Sequence, residues 1–596
     1  MTGHRFSKTL PFGADVRDGR TCFRVWAPTA QAVSLLIEDS GEAVDMQARP
    51  GGWFELETDR APPGAAYRYR LPDGAAVPDP ASRAQAQDVH GPSLVLDPES
   101  YVWRTGDWPG RPWQETVLYE LHVGCFTPQG NFAGLERRLS ELEELGITAI
   151  ELMPIADFPG RRNWGYDGVL PFAPDRAYGA PEDLKRLIDT AHGLGLMVFL
   201  DVVYNHFGPD GNYLHRYAKE VFTEAEQTPW GAAIDFSRGE VREFFIQNAL
   251  YWLEEYRFDG LRLDAVHAIR PDWRARFLAE LAERVRTEIT GRHVHLVLEN
   301  DANAARWMHG AFDAQWNDDF HHAAHVLLTG ETTGYYEDYA GDPLAALGRA
   351  LAEGFVYQGE PSAHRGGSPR GEPSGDLPPT AFVGFLQNHD QVGNRAMGER
   401  LASLAGPEAL RAMTAIGLLA PHIPLIFMGE EWAATTPFYF FCDFHDALAK
   451  AVREGRRREF AAFPEFADDA ARARIPDPNA AATFKATRLP AEPDFEGIEF
   501  RAFVAQLLDL RQARIVPKLA EAPGNSGRYR RWGAHGLGVD WTLAGGARLA
   551  LVANLGAETG APEGLPQGER LFAWPEEAGK AGDMPPWSVV WFLDER

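Results

Sequence analysis

From Val117 onward the sequence alternates short, wholly apolar runs with longer stretches of helical periodicity. Runs such as AIELMPI and MVFLDVV are apolar on both faces, which requires a parallel sheet covered by helices. We count about eight such runs, so the sheet is expected to close into a (β/α)8 barrel rather than stay open. The predicted fold class is therefore α/β, with a TIM barrel as the largest domain.

Four of the apolar runs end in acidic residues, and they come in the order DVVYNH, GLRLDAVHAI, LVLEN and LQNHDQ. The acids concerned are Asp201, Asp264, Glu299 and Asp390. In a (β/α)8 barrel the carboxyl ends of all strands meet at one face, where the active site is built. The sequence therefore predicts one pocket lined by carboxylates.

Two regions of different pattern flank the barrel. Residues 1–108 contain short β runs separated by Pro and Gly, such as CFRVWAP and AVSLLIE, which indicate a β-sandwich resembling a carbohydrate-binding module. Short strands return beyond residue 525, and we expect a C-terminal β-sandwich over 526–596. The catalytic barrel then occupies 109–525. Within it, the Gly-, Pro- and Ser-rich stretch 357–379 is predicted to be a long loop between strands six and seven, either functional or mobile.

Charge and cysteine content bear on the partners. The 58 Lys and Arg against 85 Asp and Glu give a formal net charge of −27, which repels nucleic acid phosphates and anionic membranes. We therefore expect a neutral or cationic substrate, no nucleic acid and no membrane partner. The three cysteines, Cys22, Cys125 and Cys442, are an odd set that predicts free thiols. Free thiols and an N-terminus without an apolar signal segment favour the cytoplasm.

Asp264 and Glu299 follow the fourth and fifth predicted strands. Neighbouring strands lie about 4.8 Å apart, so the two carboxyls are expected to approach to roughly 5–5.5 Å, the separation used by retaining glycosidases. Arg262 lies on the same face of its strand as Asp264. Its positive charge would keep the Asp264 carboxyl ionised, as a nucleophile requires. Asp201 is placed to brace Arg262, whereas Glu299 must arrive protonated. Asp390 is a third acid, and its carboxylate suits hydrogen bonds from substrate hydroxyls.

Three histidines, His206, His267 and His389, neighbour these acids. Zinc binding is the alternative use of such a cluster, but no HxH or HExxH spacing occurs. Neutral imidazoles that donate hydrogen bonds to sugar hydroxyls fit better. Asn205 is a candidate calcium ligand, although no further oxygen ligands are evident. We therefore predict no metal and no cofactor.

Three further residues are candidates for substrate contacts. Tyr166, in NWGYDG after strand two, offers an aromatic face to a sugar, with ordinary loop packing as the alternative. Glu430 and Glu431 follow strand eight and are candidates for hydroxyl contacts, with simple solvation as the alternative.

The strand-end segments DVVYNH, GLRLDAVH, LVLEN and NHDQ resemble the α-amylase family of glycoside hydrolases and transglycosylases, and the similarity covers most of the chain. By that resemblance Asp264 is the nucleophile, Glu299 the acid/base and Asp390 the transition-state stabiliser. It also implies that His206 and His389 contact the sugar under attack while Tyr166 stacks on it.

Within that family, segments such as WGYDGVLPFAPDRAYGAPEDLK and FMGEEWAATTPFYFFCDFHD are most similar to members that act on maltooligosyltrehalose. The implied reaction hydrolyses the α-1,4 bond next to a terminal trehalose, in functional coupling with a maltooligosyltrehalose synthase. Many amylases carry Lys-His after the nucleophile, whereas this chain has Val266–His267–Ala268, which alters the leaving-group side. The alternative is a 1,4-α-glucan branching enzyme with the same three acids. A non-catalytic glycan-binding protein would be expected to lack one of them.

Overall fold

The computed structural model describes residues 4–228, 231–580 and 582–595. At its centre a closed barrel of eight parallel strands confirms the predicted fold class. The first and eighth strands pair, with Leu118 opposite Leu425, and this pairing closes the sheet. The barrel strands, numbered one to eight in chain order, are Leu118–Leu121, Ala149–Leu152, Met197–Val202, Gly260–Leu263, His295–Leu298, Ala314–Trp316, Phe382–Phe385 and Ile423–Phe427.

Every residue of the barrel strands is buried, which explains their apolar character on both faces. Apolar side chains such as Leu118, Val297 and Phe385 form a cluster within the barrel. Four of the surrounding helices begin with proline, where no backbone N–H is needed. The covering helices are Phe132–Glu136, Leu139–Leu145, Pro181–Gly193, Gly239–Glu254, Pro271–Glu288, Asp318–Thr329, Pro343–Glu353, Leu401–Leu404, Pro407–Leu419 and Phe495–Leu510.

The N-terminal region is built from two antiparallel sheets. Phe23 of one sheet packs on Tyr67 of the other, with ring centroids 4.8 Å apart, as expected for a sandwich core. Arg83 joins the sandwich to the barrel through Glu255, at 3.2 Å. The strands of the first sheet are Gly13–Arg17, Arg20–Trp26, Trp53–Thr58 and Gln47–Arg49, and those of the second are Glu42–Asp45, Ser34–Ile37, Ala66–Arg70, Ala76–Val77 and Ser93–Leu94.

The C-terminal region differs from the predicted sandwich, because its described residues form one five-stranded antiparallel sheet. The helix Pro343–Glu353 covers this sheet in place of a second one. Trp541 Nε1 donates to the backbone oxygen of Leu351 at 2.9 Å, and a Cβ on Gly348 would lie 2.5 Å from the Tyr529 ring. The strand order is Gly527–Trp532, Gly536–Thr542, Arg548–Asn554, Ser588–Asp594 and Glu569–Trp574.

Two excursions interrupt the barrel. Residues 357–379 run from the helix Pro343–Glu353 towards strand seven and fold back on themselves, with Gly359 N–H donating to the backbone oxygen of Arg370 at 2.7 Å. After strand eight, residues 437–495 contain the helices Asp446–Glu459, Asp469–Ala473 and Ala481–Thr487. In the part of the chain that is described, no helix combines the length and the apolar content needed to cross a membrane.

Candidate active site

Arg262 on strand four is the centre of the site. Its Nη1 donates to Asp201 Oδ2 at 2.7 Å and to Asp264 Oδ1 at 2.9 Å, and its Nη2 donates to Glu299 Oε2 at 2.8 Å. The side chain is fully buried, with its guanidinium carbon 4.1 Å from the centroid of the Trp316 ring. Register explains the convergence, because Asp201 and Arg262 are direct partners on adjacent strands. One guanidinium thus joins three of the four predicted strand-end acids.

Asp264 is held by both of its carboxyl oxygens. Oδ1 accepts from Arg262, and Oδ2 accepts from Asn205 Nδ2 at 2.7 Å. The Asn205 amide nitrogen also donates to the backbone oxygen of Asp264 at 2.9 Å, and the Asn205 amide oxygen contacts His206 Nδ1. The Asn205 side chain is therefore engaged within the site. Among the described residues no group of three His, Cys, Asp or Glu side chains is arranged to hold a metal.

Glu299 is oriented by the backbone that follows Asp264. Ala265 N–H donates to Glu299 Oε2 at 2.7 Å, on the same oxygen that Arg262 contacts. To direct that N–H, Ala265 adopts a left-handed conformation with φ 38° and ψ 49°. This conformation costs about 1–2 kcal/mol for a residue with a Cβ, and such strain concentrates at functional sites. Both bonds are made to Oε2, so Oε1 is the oxygen of this carboxyl that can face a ligand.

The charges in this cluster do not balance. A single guanidinium faces the carboxyls of Asp201, Asp264 and Glu299, all partly or fully withdrawn from water. Burial raises the pKa of Asp201 to about 7, although Arg262 opposes the shift. The Asp201 carboxyl can therefore exchange a proton near neutral pH.

Tyr166, His389 and Asp390 form a second part of the site. Tyr166 Oη donates to Asp201 Oδ2 at 2.6 Å, and its ring stacks on His389 at 5.0 Å between centroids. His389 Nε2 lies 3.5 Å from Asp390 Oδ1, and the Asp390 side chain is 38% exposed. The turn that presents Tyr166 requires Gly165 (φ 110°), since a Cβ there would lie 2.1 Å from the backbone oxygen of Pro154.

His206 contacts protein atoms through both of its ring nitrogens. Its Nε2 donates to the backbone oxygen of Tyr166 at 2.9 Å, and its Nδ1 contacts Asn205. Burial lowers the pKa of His206 to about 4, and the bond to the Tyr166 backbone oxygen opposes this shift. Both ring nitrogens therefore contact protein atoms, and His206 buttresses Tyr166 and Asn205.

His267 lies at the rim of the pocket, beside the end of strand five. Its Nδ1 accepts from Asp301 N–H at 3.4 Å and lies 3.6 Å from Asp301 Oδ1. Arg365, within the predicted loop 357–379, donates to the same Asp301 carboxyl at 2.7 Å. The loop is thereby attached to the rim of the pocket.

Glu430 and Glu431 do not join the site, contrary to the predicted substrate contact of Glu430. Glu430 Oε2 accepts from Phe427 N–H at 3.2 Å, and Glu431 Oε1 accepts from Tyr119 Oη at 2.9 Å. Both line a small cavity between strand eight and the helix Pro407–Leu419. The physical reason is the left-handed turn at Gly429 (φ 87°), which carries the chain outside the barrel wall.

Two acids near the site were not predicted from the sequence. Asp318 follows strand six and accepts from Gln391 Nε2 at 3.3 Å. Burial raises the pKa of Asp318 to about 8, and the nearby charges of Glu299 and Asp390 contribute to the shift. Glu120 lies within strand one and contacts His389. Applying the strand-end rule to the short sixth strand would have found Asp318, and the lone acid in the apolar run VLYELHVG was the signal for Glu120.

Comparison with known proteins adds family relationships to this geometry. Residues 97–230 match the family described as alpha amylase, catalytic domain. Residues 11–88 match carbohydrate-binding module 48 (isoamylase N-terminal domain), and 524–591 match a domain of unknown function, DUF3459.

Whole-length relatives are also found. A malto-oligosyltrehalose trehalohydrolase of Deinococcus radiodurans is 41% identical over 554 residues, which is 92% of this chain and 89% of that protein. The crystal structure of a Salmonella typhimurium protein described as an α-amylase has a TM-score of 0.93 and 47% identity, covering 98% of this chain and 100% of that one. By contrast, a 1,4-alpha-glucan branching enzyme of Corynebacterium jeikeium is 35% identical and covers only 44% of this chain and 40% of that protein.

Proposed function

The chain belongs to the malto-oligosyltrehalose trehalohydrolase family within the α-amylase family, and on that basis we propose that it hydrolyses maltooligosyltrehalose. The bond cleaved is the α-1,4-glucosidic bond next to the terminal trehalose, and the products are trehalose and a maltooligosaccharide. The observation that carries the proposal is the convergence of Asp264 and Glu299 on one buried guanidinium, in a chain similar along its length to a trehalohydrolase.

In the first chemical step Asp264 attacks the anomeric carbon of the sugar. Arg262 and Asn205 hold its two oxygens, which fixes the orientation of the nucleophilic carboxyl. A bond forms between Asp264 and the sugar while the bond to the trehalose oxygen breaks. Since Asp264 and Glu299 bind neighbouring nitrogens of one guanidinium, they suit the short separation of a retaining mechanism.

Glu299 supplies the proton that the departing trehalose oxygen needs. Arg262 and the Ala265 N–H hold Oε2, so Oε1 is the oxygen that delivers the proton. The ionised Glu299 then takes a proton from water, and the resulting hydroxide attacks the glycosyl-enzyme and releases Asp264. The proton taken from water leaves Glu299 protonated again. Release of both products then restores the starting enzyme.

Asp390 and its neighbours act on the ring that is attacked. The exposed part of the Asp390 carboxyl suits hydrogen bonds from ring hydroxyls, and these bonds strengthen as positive charge develops. Tyr166, fixed by Asp201 below and His389 beside it, offers the remaining surface of its ring to the sugar. Together these contacts would hold the sugar ring in a distorted conformation.

Preference for a trehalose leaving group is assigned to the rim. His267, Asp301 and Arg365 place donors and acceptors beside Glu299, on the leaving-group side of the pocket. These polar groups suit a neutral disaccharide rich in hydroxyls. The net charge of −27 likewise suits a neutral substrate and disfavours nucleic acid.

If the substrate is maltooligosyltrehalose, another enzyme must supply it. We therefore propose that the protein is functionally coupled to a maltooligosyltrehalose synthase. We also assign it to the cytoplasm. Support comes from the cysteines, since Cys22, Cys125 and Cys442 are all free and a reducing compartment preserves free thiols.

Product analysis tests the proposed function. Incubation with maltotriosyltrehalose should give trehalose and maltotriose, and incubation with amylose should give no new α-1,6 branches. An Asp264→Asn variant serves as the blank. Formation of branches without trehalose release would instead assign the chain to the branching enzymes.

A further inference from the structure

Glu120, on strand one, makes two hydrogen bonds to the same residue. Its Oε2 accepts from the backbone N–H of His389 at 3.0 Å, and its Oε1 accepts from His389 Nδ1 at 2.5 Å. Both side chains are 1% exposed. The carboxyl thus fixes the main chain and the ring of His389 together, inside the barrel and out of reach of a ligand.

The other ring nitrogen of His389 faces a second carboxyl. Nε2 lies 3.5 Å from Asp390 Oδ1, so the ring stands between two acids, one at each nitrogen. A neutral imidazole has one N–H and can satisfy only one of them, whereas an imidazolium donates to both. The geometry therefore favours the doubly protonated ring.

The remaining charges around His389 do not reverse that preference. Although burial acts in the opposite direction, the charges of Glu120 and Asp390 raise the pKa of His389 to about 9. Arg262 opposes the charge, and so does any proton gained by His122. Glu151 and Asp201 also interact electrostatically with this ring, and the Tyr166 ring stacks on it.

We propose that Glu120 is a positioning residue, which holds His389 as an imidazolium so that Asp390 remains an ionised acceptor for substrate hydroxyls. Burial raises the pKa of Asp390, and the positive ring of His389 counters that rise. Glu120 never touches the sugar in this arrangement, and it acts through His389. Only the kinetic test of Glu120 depends on the proposed function.

The kinetic test compares Glu120→Gln with a matched control. The introduced amide keeps the size of the side chain and an acceptor for the His389 N–H, but it carries no charge. Without the Glu120 charge His389 holds its proton less well, so burial raises the pKa of Asp390 further. The acid limb in the pH profile of kcat should therefore move up by one pH unit or more in this variant, and kcat at a pH below that limb should fall about tenfold or more. A profile that superimposes on that of the wild type would overturn the proposal.

Glu151→Gln is the control, because Glu151 is the direct partner of Glu120 on strand two. Neither Glu151 carboxyl oxygen has a hydrogen-bond partner among the residues described, and burial raises its pKa well above the usual range. Burial thus favours the neutral form of the Glu151 carboxyl, and its replacement by the neutral amide should leave the pH profile unchanged. An equal shift of the pH profile in both variants would mean that any substitution beside His389 inside the barrel perturbs the site. That result would also overturn the proposal.

A second measurement does not depend on activity. In wild-type protein labelled at histidine ring nitrogens, the His389 signals should report an imidazolium beyond pH 8. A His389→Gln sample identifies those signals. A ring that is neutral at pH 7.5 would overturn the proposal even if trehalose release is confirmed. A protein that releases no trehalose but has a charged His389 would overturn the proposed function alone.

Discussion

The acids that follow strands four and five lie inside the barrel wall, whereas the acid that follows strand eight lies outside it. After strands four and five, Asp264 and Glu299 are the first residues beyond the strand, and both carboxyls reach Arg262. After strand eight, Glu430 follows a left-handed turn at Gly429, and its carboxyl returns to the N–H of Phe427. An acid near a strand end therefore faces the pocket only where it continues the inward alternation of the strand.

The ends of strands four and five also differ from the end of strand eight in whether a cation offsets the cost of burying a carboxylate. At strands four and five a buried guanidinium accompanies the acids, which allows charge to persist there. At strand eight burial raises the pKa of Glu430 to about 8, so this carboxyl is neutral at pH 7. Inside the barrel the acids can carry chemistry, whereas outside the wall Glu430 serves packing.

The largest effect should come from Asp264→Asn. The amide keeps the shape of the side chain but cannot form the glycosyl-enzyme, so kcat for trehalose release should fall by about 10⁴-fold or more. Initial rates on maltotriosyltrehalose measure the loss, and circular dichroism checks the fold. A variant with a tenth of the wild-type rate would remove Asp264 from the role of nucleophile.

Glu299→Gln should have the next largest effect. Without a proton donor, kcat on maltotriosyltrehalose should fall about 10²- to 10⁴-fold. On a maltosyl fluoride, whose leaving group needs no proton, the formation of the glycosyl-enzyme should be far less impaired.

Glu430→Gln is the matched control for Glu299→Gln, because it makes the same change at the other strand end. It should release trehalose at close to the wild-type rate. Equal losses in the two variants would contradict the contrast drawn between the strand ends.

The smallest effect concerns stability and pH at strand eight. The pKa of Glu430 is about 8 in the folded protein, above its unfolded value of 4.5. Its contribution to the free energy of unfolding is therefore fully present below about pH 4.5 and is lost as the pH rises through about 8. The amide introduced by Glu430→Gln does not titrate, so the Tm of the variant relative to wild type should be higher at pH 9 than at pH 5, by about 2 °C or more. Calorimetry at both pH values measures this, and a difference independent of pH would contradict it.

Much of the barrel could be predicted, because wholly apolar runs separated by helical periodicity have few other solutions. Strand six gives the weakest sequence signal of the eight, because at three residues, Ala314–Trp316, it is the shortest. Asp318 was missed for this reason. Like Glu299, it is an acid that follows a barrel strand and continues the inward alternation. The C-terminal sandwich was a plausible reading of short strands, but strand patterns do not reveal whether a sheet or a helix covers them.

The site was predicted as a set of acids but not as a network. The spacing of Arg262 and Asp264 indicated a shared face, and the register of strands three and four then placed Asp201 beside Arg262. Nothing in the spacing indicated that His206 would turn both nitrogens to protein atoms, or that Glu120 would bind His389 across 269 positions of the chain. Such contacts depend on barrel closure, which brings strand one next to strand eight.

The sequence by itself determined the alternation that makes a barrel, the identity of the strand-end acids and the family to which they point. Those properties are local, since they depend on side-chain period and on residues a few positions apart. Only the tertiary structure decided which acids share one cation, which acid lies outside the wall and which buried carboxyl supports His389. The reason is physical: burial and charge pairing arise between strands that are distant in the chain, and they decide whether a carboxyl is ionised, neutral or merely packed.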